Sequence, residues 1–442
     1  MNPPKVSIIL PFHNADRSVE ARMGSVLGQT FADIEVLCVD AGADEETRER
    51  LAQYAQEDAR VKLLRSDANS MGAAKNLAIS SASGDYIGFV EAGDDAVPEM
   101  YESLVRFADA HPQADIVKSD YVSFEVLDGK RFFDPRTVLG TRKADYEKIL
   151  NPRKHSYLFG IDKFHGAGIY RRKFLNDYKI RHHETSDAGF SEHGFWFQSL
   201  ALARGVAFLP TALYHHRRRD SKYHVDGQDK FAMCAEYDFA EQRVRNYRGI
   251  MEAVWQPYLR NRYEACAWAL RTAEQADWPE IVHRMHEDFS KRMPDSAAEK
   301  IYSPILYRRL HKELKLLLQQ PAEYQAYIQK QKKAVDKQRK TLAAWAARKR
   351  TVICGAGTLG RKAQILLAEL GTFIDAFVED AAAKNGEIVN GIKVQSLPQF
   401  GDVRGCQFLI AKESGGSNAK QQLQEAGVED DDIKRFELHR LF

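Results

Sequence analysis

The sequence predicts an α/β architecture in three parts: a mostly parallel sheet domain over residues 1–229, a helical segment over 230–348 and a smaller α/β domain over 349–442. Three observations predict it. Over the first 115 residues or so, short apolar runs alternate with helical patterns. From Lys230 to about Trp345 glycine nearly vanishes and helix formers dominate, and at Thr351 a strand pattern returns.

Taken in order, Val6 to Leu10 reads as a buried strand, Ser18 to Leu27 as an amphipathic helix and Ile34 to Val39 as a second strand. Glu45 to Glu57 reads as a helix, Val61 to Leu64 as a third strand, Ala73 to Ser80 as a helix and Tyr86 to Val90 as a fourth strand, followed by a helix led by Pro98. Strands alternating with helices form a parallel sheet covered on both faces, and ligands bind beyond the carboxyl ends of such strands. Ile116 to His224 is less regular and rich in His, Arg and aromatic residues, a pattern that suits a second substrate pocket. In the helical segment, Lys330 to Arg350 carries nine Lys or Arg against the single acid Asp336, with Ile328, Val335 and Leu342 seven apart. A solvated connecting helix is the reading this supports, with peripheral membrane contact left open.

Composition narrows the class. The chain has 442 residues, 44% hydrophobic, with 64 basic against 62 acidic side chains and a net charge of +2. That balance excludes disordered and collagen-like chains and gives no nucleic-acid signature. The five cysteines lie in no CxxC pair, which fits free thiols in a reducing compartment. The apolar run at the start is far shorter than a signal peptide's core or a bilayer span, so the expectation is a cytoplasmic protein.

The chemistry concentrates after the fourth strand, at Phe89-Val90-Glu91-Ala92-Gly93-Asp94-Asp95. Clustered carboxylates are costly to hold together unless a cation neutralises them, and hard divalent cations take such ligands alongside phosphates. Alone, the motif reads sooner as an acidic turn that caps the Pro98 helix than as a metal site. Its surroundings decide between the two. SIILPFHN at 7–14, VLGQTFADIEVLCVDAGADEET at 26–47 and SMGAAKNLAISSASGDYIGFVEAGDD at 70–95 resemble, in order and spacing, the nucleotide-sugar half of glycosyltransferase family 2, the inverting GT-A enzymes.

The resemblance implies that Pro11, Phe12 and Asn14 line the floor under a nucleobase, that Asp40 helps hold that base and that Lys75 and Asn76 match an Arg-Asn pair near the donor. It places Asp94 on the metal-binding Asp of a D-x-D-type motif, with Asp95 as an additional acid and Glu91 on the donor side. The cofactor implied is Mn²⁺ or Mg²⁺. The sequence departs from the family where VDDGS becomes Val39-Asp40-Ala41-Gly42-Ala43 and D-x-D-D becomes Glu91-Ala92-Gly93-Asp94. Further on, Gly168 to Leu175 resembles the acceptor-side strand and helix start, and Ser191-Glu192-His193-Gly194-Phe195 resembles the E-D-x-x-F segment that supplies a general base. His193 stands in the usual Asp position, so Glu192 is the first choice for the base and His193 the second. Tyr214 to Ser221 resembles a closing Y-x-x-R-x-x-x-S loop, with Arg217 and Arg219 as groups for the diphosphate. His165, His182 and His183 lack metal-ligand spacing and read as acceptor-pocket or surface residues.

In the last domain Gly355-Ala356-Gly357-Thr358-Leu359-Gly360 follows a strand and opens a helix, with Glu379 and Asp380 about 20 residues on, the context of a dinucleotide fingerprint. The domain resembles small Rossmann-like modules attached to bacterial sugar-modifying enzymes. It is too short for a complete dinucleotide fold, so a nucleotide-binding module without hydride chemistry and a ligand-free scaffold both stand, with NAD or another nucleotide as the ligand to test.

The reading that covers most of the chain is a metal-dependent inverting glycosyltransferase. Its donor would be a nucleotide sugar, UDP-linked foremost, and its acceptor a saccharide or glycoconjugate in bacterial surface-polysaccharide assembly. The alternatives are an NAD-linked oxidoreductase or epimerase centred on the C-terminal glycine loop and a catalytically inactive nucleotide-sugar-binding module. Oligomeric state stays open.

Overall fold

A computed structural model describes residues 3–14, 18–68, 70–185, 190–218, 231–293, 308–379, 386–401, 403–412 and 416–437. The chain divides into two compact units, residues 1–122, 136–217 and 221–321 forming the first and 322–442 with 123–135 falling in the second. The helical stretch expected as a separate segment over 230–348 is thus divided between them. Its long helix Pro321–Ala346 ends with Leu342, Trp345 and Ala346 in one core with Ile353, Leu366 and Phe377, because apolar residues at its C-terminal end need a partner sheet to leave water.

The larger sheet is built on β1 (Val6–Asn14), β2 (Ile34–Ala43), β3 (Val61–Arg65), β4 (Tyr86–Phe89), β5 (Asp95–Ala96), β6 (Ile116–Leu127), β7 (Lys130–Arg136), β8 (Gly168–Arg171) and β9 (Val206–Arg217), of which the end of β6 and nearly all of β7 are counted in the second unit. Among the described residues these form one sheet in the order β3-β2-β1-β4-β8-β6-β9-β5, with β7 paired to β6. β1 pairs in parallel with both β2 and β4, and β2 with β3. From β4 outward the pairing turns antiparallel, to β8 and on to β6. The strand order reverses between β1 and β4, and in such sheets ligands bind outside the carboxyl ends of the strands at that point. The register sets Phe12 opposite Asp40.

The strands form where they were expected because helices cover both faces: Val6, Ile8, Ile9 and Leu10 are all fully buried, and a continuous apolar run suits a strand without a wet side. The helices Val19–Leu27, Glu45–Glu57 and Met71–Ser81 intervene, the last two capped by Asp44 and Ser70, whose side chains accept from Thr47 and Ala73 amides. The five cysteines are all buried and none is in a disulfide.

The amino ends of these strands are tied by one buried acid. Glu35 Oε1 accepts from the Ser7 hydroxyl at 2.5 Å and the Ser83 amide at 2.7 Å, while Oε2 meets Lys62 Nζ at 2.6 Å. Burial works against its ionisation, but Lys62 and these donors outweigh it and hold the carboxyl at about 2 against an ordinary 4.5. Its stabilising contribution is therefore complete above pH 4.5 and is lost as pH falls toward 2. Glu35→Gln is expected to lower stability near neutral pH by on the order of 2 kcal/mol and to flatten the acid limb of the urea-midpoint profile.

The second unit carries β10 (Arg350–Cys354), β11 (Ala376–Val378), β12 (Ile388–Val389), β13 (Ile392–Gln395), β14 (Cys406–Ile410) and β15 (Ile433–Arg435). Their order among the described residues is β12-β13-β11-β10-β14-β15, parallel except for the β12–β13 hairpin.

Candidate active site

The turn after β4 sends its three carboxylates to three different partners. Glu91, only 14% exposed, meets Lys75 Nζ at 2.9 Å and His165 Nε2 at 2.6 Å through the same oxygen. Asp94 is buried. Its Oδ2 accepts from the Tyr214 hydroxyl at 2.8 Å and lies 3.1 Å from His216 Nδ1, and its Oδ1 accepts from the Arg217 amide at 2.7 Å. Asp95 faces His215 Nδ1 at 2.9 Å. The Tyr214 hydroxyl also accepts from the Glu91 amide at 3.3 Å, so this one group fixes both ends of the acidic turn to β9.

Electrostatics separate these carboxylates. Burial pushes Glu91 up, but Lys75 and His165 overcome it and hold the group well below the usual carboxylate range. At Asp94 burial wins and raises the carboxyl, although His216, the Arg217 amide and Tyr214 pull the other way. A desolvated acid with an imidazole beside it is a site whose charge a cation would relieve.

Glu192 enters from the first turn of the helix Ser191–Leu202, with Oε2 3.6 Å from His165 Nδ1. Ligand atoms of Glu91, His165 and Glu192 all lie within 4.8 Å of one another, a spacing a small cation could use. The Lys75 ammonium on Glu91 already neutralises that corner and would oppose a second positive charge. His193 lies 3.4 Å from the Tyr237 hydroxyl, and burial, with Lys163 adding to it, pushes its imidazole down to about 4.

Residues 7–178 match the family model of glycosyl transferase family 2. This region is a glycosyl transferase family 2 domain. Among relatives, the chain is 28% identical over 215 residues to the glycosyltransferase EpsJ of Bacillus subtilis, covering 48% of this chain and 61% of that protein. It is 38% identical over 146 residues to the Escherichia coli protein WfgD, named a UDP-Glc:alpha-D-GlcNAc-diphosphoundecaprenol beta-1,3-glucosyltransferase, covering 33% of this chain and 54% of that one. The chain thus spans somewhat over half the length of these relatives. Its fold is similar to that of Staphylococcus aureus TarS residues 1–349 solved with UDP-GlcNAc, at a TM-score of 0.57 and 15% identity, covering 76% of this chain and 92% of that one.

Within the family 2 domain the expected donor residues hold distinct positions. The Pro11 carbonyl accepts from Arg22 Nη1 at 3.1 Å, and the Arg22 guanidinium lies 3.8 Å over the fully buried Phe12 ring, which stiffens the floor of the crevice. Asn14 ends β1 at φ 54 and is exposed. Asp40 Oδ1 accepts from the Gly42 and Ala43 amides at 3.0 and 2.8 Å, which fixes the carboxylate's direction, while Oδ2 lies 3.9 Å from Arg48. Asn76 is committed to the chain itself: Nδ2 donates to the His182 carbonyl at 3.0 Å and Oδ1 accepts from the His182 amide at 2.8 Å. Arg217 joins through its amide, with its side chain against Gly93; Arg219 and Asp380 lie outside the described residues.

Two expectations change. His165 and His182, read from sequence as pocket or surface groups, are 0% and 1% exposed and lie inside the domain. In the second unit, Glu379 is not left facing a ribose: its Oε2 accepts from the Ala356 amide at 3.1 Å and its Oε1 pairs with Lys412 at 3.2 Å. A Cβ on Gly360 would meet the Gly355 carbonyl at 1.8 Å, so close strand–helix packing accounts for the Gly355 and Gly360 spacing, with Gly357 capping the helix. The glycine loop therefore gives the NAD reading no support.

Sequence reasoning missed Lys118, a lysine buried on β6 among the carbonyls of 164–166, and no local pattern marks it. Gly72 carries a tighter constraint, since a Cβ there would lie 2.0 Å from the His183 carbonyl. Gly72→Ala should push the helix of Lys75 and Asn76 off the 182–184 segment and cost about 1–3 kcal/mol, read as a lowered thermal midpoint.

Proposed function

We propose that the chain is a metal-dependent, inverting glycosyltransferase that moves a sugar from a nucleotide-sugar donor, UDP-linked foremost, to a hydroxyl of a saccharide or glycoconjugate acceptor. The name of WfgD, with its lipid-linked sugar acceptor, supports surface-polysaccharide or glycoconjugate assembly as the setting. The observation that carries the reading is the convergence on one crevice of an acidic turn fixed by Tyr214 and a carboxylate, Glu192, brought in from a separate helix. No described helix is long and apolar enough to cross a membrane, and peripheral contact is not required by this reading.

The residues at the turn fit a divalent cation, Mn²⁺ or Mg²⁺. Asp94 with His216 would hold it, with Asp95 beside them, and the pairing of carboxylate with imidazole favours Mn²⁺. When bound, such an ion offsets charge on the departing nucleoside diphosphate. Asp40 is oriented by its own turn to accept from the nucleobase, over the floor made by Pro11 and Phe12. Lys75 acts through Glu91 rather than directly on phosphate, because its ammonium is buried against that carboxylate.

Glu192 serves as the base. The acceptor hydroxyl gives its proton to a Glu192 oxygen, the oxygen so freed bonds to the anomeric carbon, and the bond from that carbon to the diphosphate breaks with its electrons. Glu192 is preferred over His193 because burial has made that imidazole a weak base and turned it toward Tyr237. The C-terminal unit has no step in this reaction.

The test is a screen of nucleotide sugars for release of nucleoside diphosphate with Mn²⁺ or Mg²⁺. Release should stop on chelation and return with Mn²⁺. Glu192→Gln should lower kcat by about 10²- to 10⁴-fold while donor KM stays near wild type. Equal rates for wild type, Glu192→Gln and Asp94→Asn would overturn the reading.

A further inference from the structure

The base needs a fixed direction, and the structure supplies a device for it that neither the family match nor the sequence motifs name. His165 is fully buried. Its two ring nitrogens point at two carboxylates, Nε2 at Glu91 Oε1, 2.6 Å away, and Nδ1 at Glu192 Oε2, 3.6 Å away. Nδ1 is buried and has no hydrogen-bond partner, so it is aimed at Glu192 without yet being satisfied by it. Both ring nitrogens donate at once only in the imidazolium form, and that is the form in which one ring serves an anchor and a client carboxylate together.

The ring cannot easily turn away. Lys118 Nζ donates to the Phe164 carbonyl at 2.9 Å and to the Gly166 carbonyl, gripping the backbone on either side of His165. A Cβ on Gly166 would lie 3.0 Å from the Tyr214 ring, and one on Gly168 would lie 2.5 Å from the Val117 carbonyl, so the turn has no room to shift toward β9 or β6. Phe89 packs edge-on against the ring at 4.4 Å. On the far side of Glu91 stands Lys75, which makes a row of Lys75, Glu91, His165 and Glu192 drawn from two helices, one turn and one loop.

We propose that His165 is a positioning residue for Glu192: anchored by Glu91 and by the Lys118 grip on its turn, it holds the Glu192 carboxylate toward the acceptor hydroxyl. This rests on Glu192 being the base. The 3.6 Å gap is wider than a hydrogen bond and closes when Glu192 aligns on substrate, as hydrogen bonds in unliganded sites often do. A positioning role of this kind costs rate when removed and leaves donor binding alone.

The test is steady-state sugar transfer by wild type, His165→Leu, Glu192→Gln and the double variant, all in the full chain. His165→Leu should lower kcat on the order of tenfold or more with donor KM within about twofold. The double variant should be no slower than Glu192→Gln alone, because His165 has nothing left to orient. Losses that multiply, or a wild-type kcat for His165→Leu, overturn the proposal. A wild-type kcat for Glu192→Gln overturns instead the assignment of the base. Should His165→Leu fail to fold, two amide variants decide: His165→Asn, whose nitrogen reaches the Nδ1 position, should keep more of the rate than His165→Gln, which reaches only toward Glu91. The reverse order, or equal loss in both, counts against the proposal.

Discussion

Glu91 is an acid in a place where acids are costly, and its neutralisation organises the domain around it. A buried carboxylate must be met by positive or donating groups or be protonated. Here Lys75 comes from the helix after β3 and His165 from the loop before β8, so one charge ties together elements that lie far apart in sequence. Removing either partner leaves the other exposed to the full desolvation cost, which in buried pairs runs to several kcal/mol. The acidic turn is therefore held from within before any substrate arrives.

The same logic divides labour within the turn. Tyr214 holds the Glu91 amide and the Asp94 carboxylate at once, so the turn and the end of β9 move as one piece. Gly93 takes φ +85 in the middle, which lets neighbouring residues face opposite ways: Glu91 inward to Lys75 and His165, Asp94 toward His216. Glu91 is met by fixed protein charge, while Asp94 is held by the Tyr214 hydroxyl, His216 and the Arg217 amide. Clustered carboxylates need not all be ligands, and burial with partner identity tells them apart.

Much of this was legible in the sequence. The strands from Val6, Ile34 and Tyr86 were readable because central strands covered on both faces are mostly apolar runs, while the edge strand from Val61 is mixed and partly exposed. What could not be read were contacts set by long-range packing: His165 and Lys118 carry no periodic signal, and the hold of the His182 backbone on Asn76 joins residues far apart in the chain. The extent of the first unit also escaped, because helical periodicity at 230–348 says that helices form and not which sheet covers them. At the glycine loop at 355–360 the Gly355 carbonyl closes on Gly360 and Glu379 accepts from the Ala356 amide, contacts that the spacing alone does not show.

The central claim is that Glu192 takes the acceptor's proton so that the hydroxyl displaces the diphosphate in one step. Product stereochemistry tests this most directly. With an α-linked nucleotide sugar, proton NMR of the first-formed linkage should show the β anomer. An α-linked product would require a second displacement at the anomeric carbon and would contradict the role given to Glu192.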